Sequence, residues 1–200
     1  MNTIITIGRE FGSGGREFGR RLAEELGYEY YDKEIIQEIA KKTSLSEEYI
    51  QEVVEKTPHN LYPITIGQSL RYAGNYQLNQ VQTVFQAQCE ILKNLAEKSN
   101  CVIVGRCADY ILKEYNPFKI FVYATLESKI NRCLSRVDEY ENYTPKKLKK
   151  LIKKVDKERA RYYDFYAGQK WGDKANYDLC INTTDTEIKK IVPIVAKMFK

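Results

Sequence analysis

No Cys-x-x-Cys pair occurs in this 200-residue chain, although it holds five cysteines. Cys89, Cys101, Cys107, Cys133 and Cys180 are odd in number and irregular in spacing. That excludes a zinc knuckle and a dithiol redox site, and reads as reduced thiols. Long apolar runs are missing too. No stretch approaches the roughly 18 residues of a membrane span, and the opening Asn-Thr-Ile-Ile-Thr-Ile is too short for a secretory core. The chain is therefore read as cytoplasmic, with no membrane partner. Charge is not concentrated in one block: 32 basic residues are interspersed with 27 acidic ones, for a net +5. This mild excess suits a small anionic ligand and argues against a nucleic-acid partner. Histidine occurs once, as His59, in a segment that reads as a surface loop.

What is present is enough for one α/β domain over residues 1–200, with 43% apolar and 30% charged residues. The run from Thr3 to Ile7 is β-branched and apolar and reads as a buried parallel strand. Further short apolar runs read as strands at Glu29 to Tyr31, Cys101 to Val104, Phe118 to Tyr123 and Tyr177 to Ile181. Between them lie helical patterns. Phe18, Leu22 and Leu26 form a stripe closed by Gly27. Lys33 to Lys42 and Ser46 to Lys56 read as two helices, and Gln77 to Lys98 as a long polar one after an irregular stretch from Thr57 to Asn75. Ala108 to Glu114 reads as a short helix. Thr144-Pro145 opens a lysine-rich helix that runs to about Phe165, followed by a loop from Tyr166 to Asn176. Thr184 to Glu187 has capping-box spacing for the last helix, which Pro193 should kink. Strands alternating with helices predict a parallel sheet covered on both faces.

The strongest motif is Gly8-Arg9-Glu10-Phe11-Gly12-Ser13-Gly14-Gly15-Arg16-Glu17, between the first strand and the first helix. Glycines there let successive N–H groups converge on one anion, and the helix start adds its unpaired amides. Phosphate is the natural guest. Two phosphate motifs compete. A dinucleotide pattern begins at Gly12 and Gly14, with Asp32 near the place of a ribose-binding acid, but Glu17 stands where its third glycine belongs. The phosphate-loop pattern G-x-x-x-x-G-K-[ST] aligns on Gly14 but finds Arg9 at its first glycine, Gly15 at its lysine and Arg16 at its Ser/Thr. The loop alone decides neither.

Other segments carry a resemblance. The loop with Leu22-Ala23-Glu24-Glu25-Leu26-Gly27-Tyr28 and Tyr30-Tyr31-Asp32, then Val102-Ile103-Val104-Gly105-Arg106, then Asp156-Lys157-Glu158-Arg159-Ala160-Arg161, is similar to bacterial cytidylate kinases. Gly-Ser-Gly-Gly-Arg-Glu, Val-Gly-Arg-Cys-Ala-Asp-Tyr and the stretch from Tyr162 to Asp173 resemble more closely a divergent branch, the cytidylate kinase-like family. The resemblance implies a P-loop NTPase-type sheet of five parallel strands in the order 2-3-1-4-5, flanked by helices. It also implies an acceptor-binding insertion at about 57–98 and a helical lid at about 132–166. The activity implied is transfer of the ATP γ-phosphoryl group to a nucleoside monophosphate or other small acceptor, with Mg²⁺.

Site roles follow from that resemblance. The amides of Gly12, Ser13, Gly14 and Gly15 would cradle donor phosphates, with Glu17 beside them. Arg16, and second Arg9, would supply the charge of the missing lysine. Asp32 would stand near the reacting groups and Arg106 would hold the acceptor phosphate. Arg132, Arg136, Arg159 and Arg161 would close over the transferring group, with Lys154, Lys157, Glu158 and Arg161 on one helical face. Arginine suits such a site because its planar fork grips phosphate oxygens in pairs. The departures are specific: the lysine is absent, Arg16 replaces the metal-binding hydroxyl, and Cys107 replaces an aspartate. No metal ligand is identifiable. Three readings stay open: an active phosphotransferase, a non-catalytic nucleotide or anion sensor, and an NAD-dependent oxidoreductase.

Overall fold

The computed structural model describes residues 2–55, 71–136, 140 and 143–200. Five strands form one sheet: β1 (Ile4–Arg9), β2 (Glu29–Tyr31), β3 (Cys101–Val104), β4 (Phe118–Tyr123) and β5 (Leu179–Asn182). They lie in the order β2-β3-β1-β4-β5, and every neighbouring pair is parallel. This is the implied order, and it differs from the 3-2-1-4-5-6 order of dinucleotide-binding sheets. All five strands end at one edge, so the segments after Arg9, Tyr31, Val104, Tyr123 and Asn182 gather there.

Alternation along the strands sorts side chains between two cores. Ile5, Ile7, Val102, Val104, Ile120 and Val122 face α1 (Gly15–Leu26) and the last helix, α8 (Ile188–Ala196), where Phe18, Leu22 and Val192 cover them. Ile4, Cys101 and Ile103 face the opposite core. That core is built by α2 (Glu34–Thr43), α3 (Glu47–Glu55), α4 (Arg71–Lys98), α5 (Ala108–Ile111) and α7 (Pro145–Ala167). A further helix, α6 (Leu126–Leu134), follows β4. Thr125 caps it by accepting from the Ser128 amide, and Thr144 caps α7 by accepting from that of Lys147.

Several element boundaries differ from the sequence reading. The long helix starts at Arg71 rather than Gln77, so Gly74 lies inside it. The segment after β3 is an α-turn, Ala108–Ile111, followed by a 3₁₀ turn, Lys113–Tyr115. The lysine-rich helix continues to Ala167 and stops at Gly168 in the left-handed conformation. The capping box at Thr184 does not form. The helix begins at Ile188, while the Thr184 hydroxyl is turned to Asn182 Oδ1 and accepts from the Thr125 amide. His59 lies outside the described residues. The five cysteines are free thiols. No described helix is long and apolar enough to cross a membrane.

Candidate active site

The glycine loop sits at the carboxyl edge of the sheet, on its central strand. Gly12 and Gly14 take φ of 75° and 84°, and Gly14 caps α1 in the left-handed conformation. The first bond into the helix runs from the Phe18 amide to Gly14 O at 2.9 Å. The amides of Gly15, Arg16 and Glu17 precede it and have no partner within the helix. Side chains from distant segments hold the loop in shape. The Thr183 hydroxyl donates to Ser13 O at 2.6 Å, and Ser13 Oγ donates to Glu10 O at 2.8 Å. The Ser13 amide also turns to Glu10 O, at 3.3 Å, so it serves the loop's own turn.

Arg9 ends β1 and is buried. Its stem runs across Gly15: a β-carbon added at position 15 would overlap Arg9 Cβ and lie 3.1 Å from Arg9 Cγ. Its head lies over Gly105, where an added β-carbon would fall on the guanidinium, 2.7 Å from Cζ. The glycine in the lysine's slot thus makes room for an arginine arriving from the slot of the first glycine.

Asp32, buried after β2, faces two of these cations. Its Oδ2 lies 2.5 Å from Arg16 Nε, and its Oδ1 lies 4.0 Å from Arg9 Nη2. Arg159 donates to Arg9 O at 3.3 Å and lies over the Phe11 ring. Burial pushes the Arg9 pKa down, and the nearby Arg159, Arg106 and Arg16 push it further down, while Asp32 raises it. Like charges crowded at a buried position are relieved by an anion. Arg106 is itself buried, and its φ of 60° puts it in the left-handed region. That is a strained backbone state which structures tend to keep at functional sites.

Two of the cavities here meet at Arg9. The first, of about 230 Å³, is lined by the glycine loop, Arg9, Arg16, Lys33, Arg132, Arg136, Tyr140 and Arg159. The second is small, about 40 Å³, and is lined by Gly105, Arg106, Cys107, Asp109, Tyr162, Tyr163 and Trp171, among others. Arg9 and Arg159 belong to both linings. In the second, Tyr163 donates to Asp109 Oδ2 at 2.7 Å, and burial pushes the Asp109 carboxyl up.

The remaining candidates separate into groups. Arg132 spends its guanidinium on main chain, donating from Nη1 to Gly12 O and from Nη2 to Thr183 O, both at 2.9 Å. It thereby ties the loop to the exit of β5 while lining the first cavity. Arg136 is exposed at the rim of that cavity. Glu17 pairs with Arg21 at 2.9 Å. Lys154, Lys157 and Arg161 are exposed and stand outside the linings of both cavities, with Lys154 4.0 Å from Glu158.

Sequence reading missed a second knot. The Lys129 ammonium, buried on α6, lies 3.0 Å from Glu10 Oε2 and 2.8 Å from Asp156 Oδ2. Asp156 Oδ1 accepts from the Phe11 amide at 2.6 Å. Loop, α6 and α7 therefore meet at one charge cluster. Asp156 was visible as the first residue of the lid motif, but Lys129 carries no local sequence signal.

The donor set does not fit a magnesium ion. Magnesium takes oxygen ligands. Position 16 offers only guanidinium donors, and Asp32 has Oδ2 on Arg16, while its buried Oδ1 has no hydrogen-bond partner and stands 4.0 Å from the Arg9 guanidinium. Among the described residues, no group of three or more His, Cys, Asp or Glu side chains could hold a metal.

A five-stranded parallel sheet in this order, with a glycine loop between its central strand and a helix, defines a P-loop kinase fold. The family model of the cytidylate kinase-like family matches residues 4–185, and the chain belongs to that family. A cytidylate kinase of Saccharolobus islandicus (strain L.S.2.15 / Lassen #1) is 24% identical over 193 residues, covering 96% of this chain and 88% of that protein. Among solved structures, an uncharacterized protein from Eubacterium ventriosum ATCC 27560 superposes with a TM-score of 0.71 at 29% identity, over 98% of both chains. The shikimate kinase of Acinetobacter baumannii, solved with shikimate, shares the fold at 15% identity, with a TM-score of 0.54 over 100% of this chain and 93% of its own.

Proposed function

We propose that the protein is a phosphotransferase that moves the γ-phosphoryl group of ATP to a nucleoside monophosphate or another small acceptor. The observation that carries this reading is that Arg9 and Arg159 line both cavities at once. Donor phosphates resting on the amides of Gly14 to Glu17 in the first cavity would reach an acceptor in the second across these two guanidiniums. The acceptor oxygen would form the new P–O bond as the bond to the departing ADP breaks. Such chemistry is positioning and charge stabilisation, which fixed guanidiniums supply. Arg9 provides the charge for which related loops use lysine, Arg106 faces the acceptor, and Arg132 keeps the loop in register. Family membership and the kinase fold support a nucleotide ligand and, with it, a cytoplasmic setting.

A coupled ADP-release assay over a panel of nucleoside monophosphates and small hydroxylated acceptors tests the reading. Turnover with one acceptor, lost in Arg9→Ala, is the expected result. The absent lysine and Ser/Thr favour a second reading, a nucleotide sensor. ATP binding without turnover across the panel would select it.

A further inference from the structure

We propose that the loop binds the nucleotide polyphosphate without a divalent cation, with the Arg16 guanidinium standing where related sites use a metal ion. The inference rests on the proposed donor site and concerns how its charge is balanced.

Three observations converge on Arg16. It occupies the position that carries a metal-binding hydroxyl in the phosphate-loop pattern, and it replaces an oxygen ligand with a cation. Its Nε lies 2.5 Å from Asp32 Oδ2, and that carboxylate is buried, so the acid best placed to face a metal is already engaged by a cation. The other oxygen of Asp32 faces Arg9 Nη2 at 4.0 Å. A magnesium ion taking Oδ2 would have to displace Arg16, and one taking Oδ1, which has no hydrogen-bond partner, would sit against the Arg9 guanidinium.

The chemistry of the exchange is consistent. A metal ion in such sites bridges oxygens of the β- and γ-phosphates and neutralises charge. A guanidinium is a permanent cation with five N–H donors in a flat fork, able to span two oxygens. Asp32 engages the Nε side of Arg16, and the same group carries further donors on its terminal nitrogens. Arg16 is half-exposed and lines the first cavity together with the glycine loop. The field around Arg9 points the same way: three other guanidiniums act on it against one carboxylate, an environment that favours an incoming polyanion over an incoming dication.

Titration calorimetry of the intact protein with ATP, and with inorganic tripolyphosphate, in EDTA and in MgCl₂ tests the proposal. The wild type is expected to bind in EDTA within about threefold of its affinity in magnesium. Arg16→Ser is expected to lose about tenfold or more in EDTA and to recover part of that with magnesium, whereas Arg16→Lys retains most of the EDTA affinity. Wild-type binding that is about tenfold or more tighter in magnesium overturns the proposal and leaves the donor site standing. Undiminished EDTA binding by Arg16→Ser also overturns it. Absence of ATP binding in both buffers overturns the donor site itself. The wild-type comparison decides the matter even if a variant fails to fold.

Discussion

Arg9 crosses Gly15 so closely that a β-carbon at position 15 would overlap the Arg9 stem. The two positions exchange residue types relative to the usual phosphate-loop pattern: an arginine stands at the first glycine and a glycine at the lysine. One departure compensates the other, because a side chain at position 15 and an arginine at position 9 cannot share the space.

The exchange predicts a pattern among variants. Gly15→Ala alone should cost about 1–3 kcal/mol through overpacking and displace Arg9. Gly15→Lys alone should be worse. The double variant Arg9→Gly/Gly15→Lys should recover stability and phosphate affinity relative to Gly15→Lys. Urea unfolding and ATP titration of the three proteins check this, and a double variant no better than Gly15→Lys contradicts it.

Arg132 holds two carbonyls from segments far apart in the chain, Gly12 O and Thr183 O. Arg132→Met should lower stability by about 2 kcal/mol, since hydrogen bonds to charged groups are worth about 1.5–3 kcal/mol each and are not additive. It should also weaken nucleotide binding by loosening the loop. Denaturant unfolding with and without ATP measures both. An unchanged unfolding curve would show that the two bonds contribute nothing.

Lys129 is the cation shared by Glu10 and Asp156. Removing it leaves two carboxylates facing each other near the loop, at an expected cost of about 3–5 kcal/mol for Lys129→Met. Neutralising the partners as well, in Lys129→Met/Glu10→Gln/Asp156→Asn, should return part of that. Thermal melts of the single and triple variants test the coupling.

Asp109 gives a pH signature. Burial raises its folded-state pKa above the ordinary 3.8, against hydrogen bonds that lower it. A raised pKa means that the folded state favours the proton. Its stabilising contribution is complete below the ordinary value and is lost as pH rises through the raised one. Asp109→Asn keeps an acceptor for Tyr163 without the charge. It should therefore gain stability relative to wild type as pH rises from about 3.5 to about 7. A stability difference that stays flat across that range contradicts the assignment.

Much of the fold is legible in the sequence because local chemistry dictates it. The β-branched runs ending at Ile7 and Val104 form the central strands, Gly27 stops α1, and Thr144-Pro145 starts α7 where the spacing says it should. The turn between β1 and α1 is legible from its glycines alone. What stays hidden is set by tertiary contact. Arg9, Gly15 and Gly105 reveal their relation only once β1 and β3 pair. Lys129 meets Glu10 across 119 residues. Arg132 reads as a phosphate ligand by resemblance, yet its donors are on main-chain carbonyls. The misplaced start of α4 has a simpler cause: Gly74 reads as a breaker, but the helix runs through it.

A crystal structure with a non-hydrolysable ATP analogue tests the central claim most directly. The result expected is a β-phosphate over the amides of Gly14 to Glu17, with the Arg9 guanidinium within hydrogen-bonding distance of its oxygens and Arg159 facing the γ-phosphate. An analogue whose phosphates lie away from the loop, or a loop whose amides stay closed by its own side chains, would contradict it.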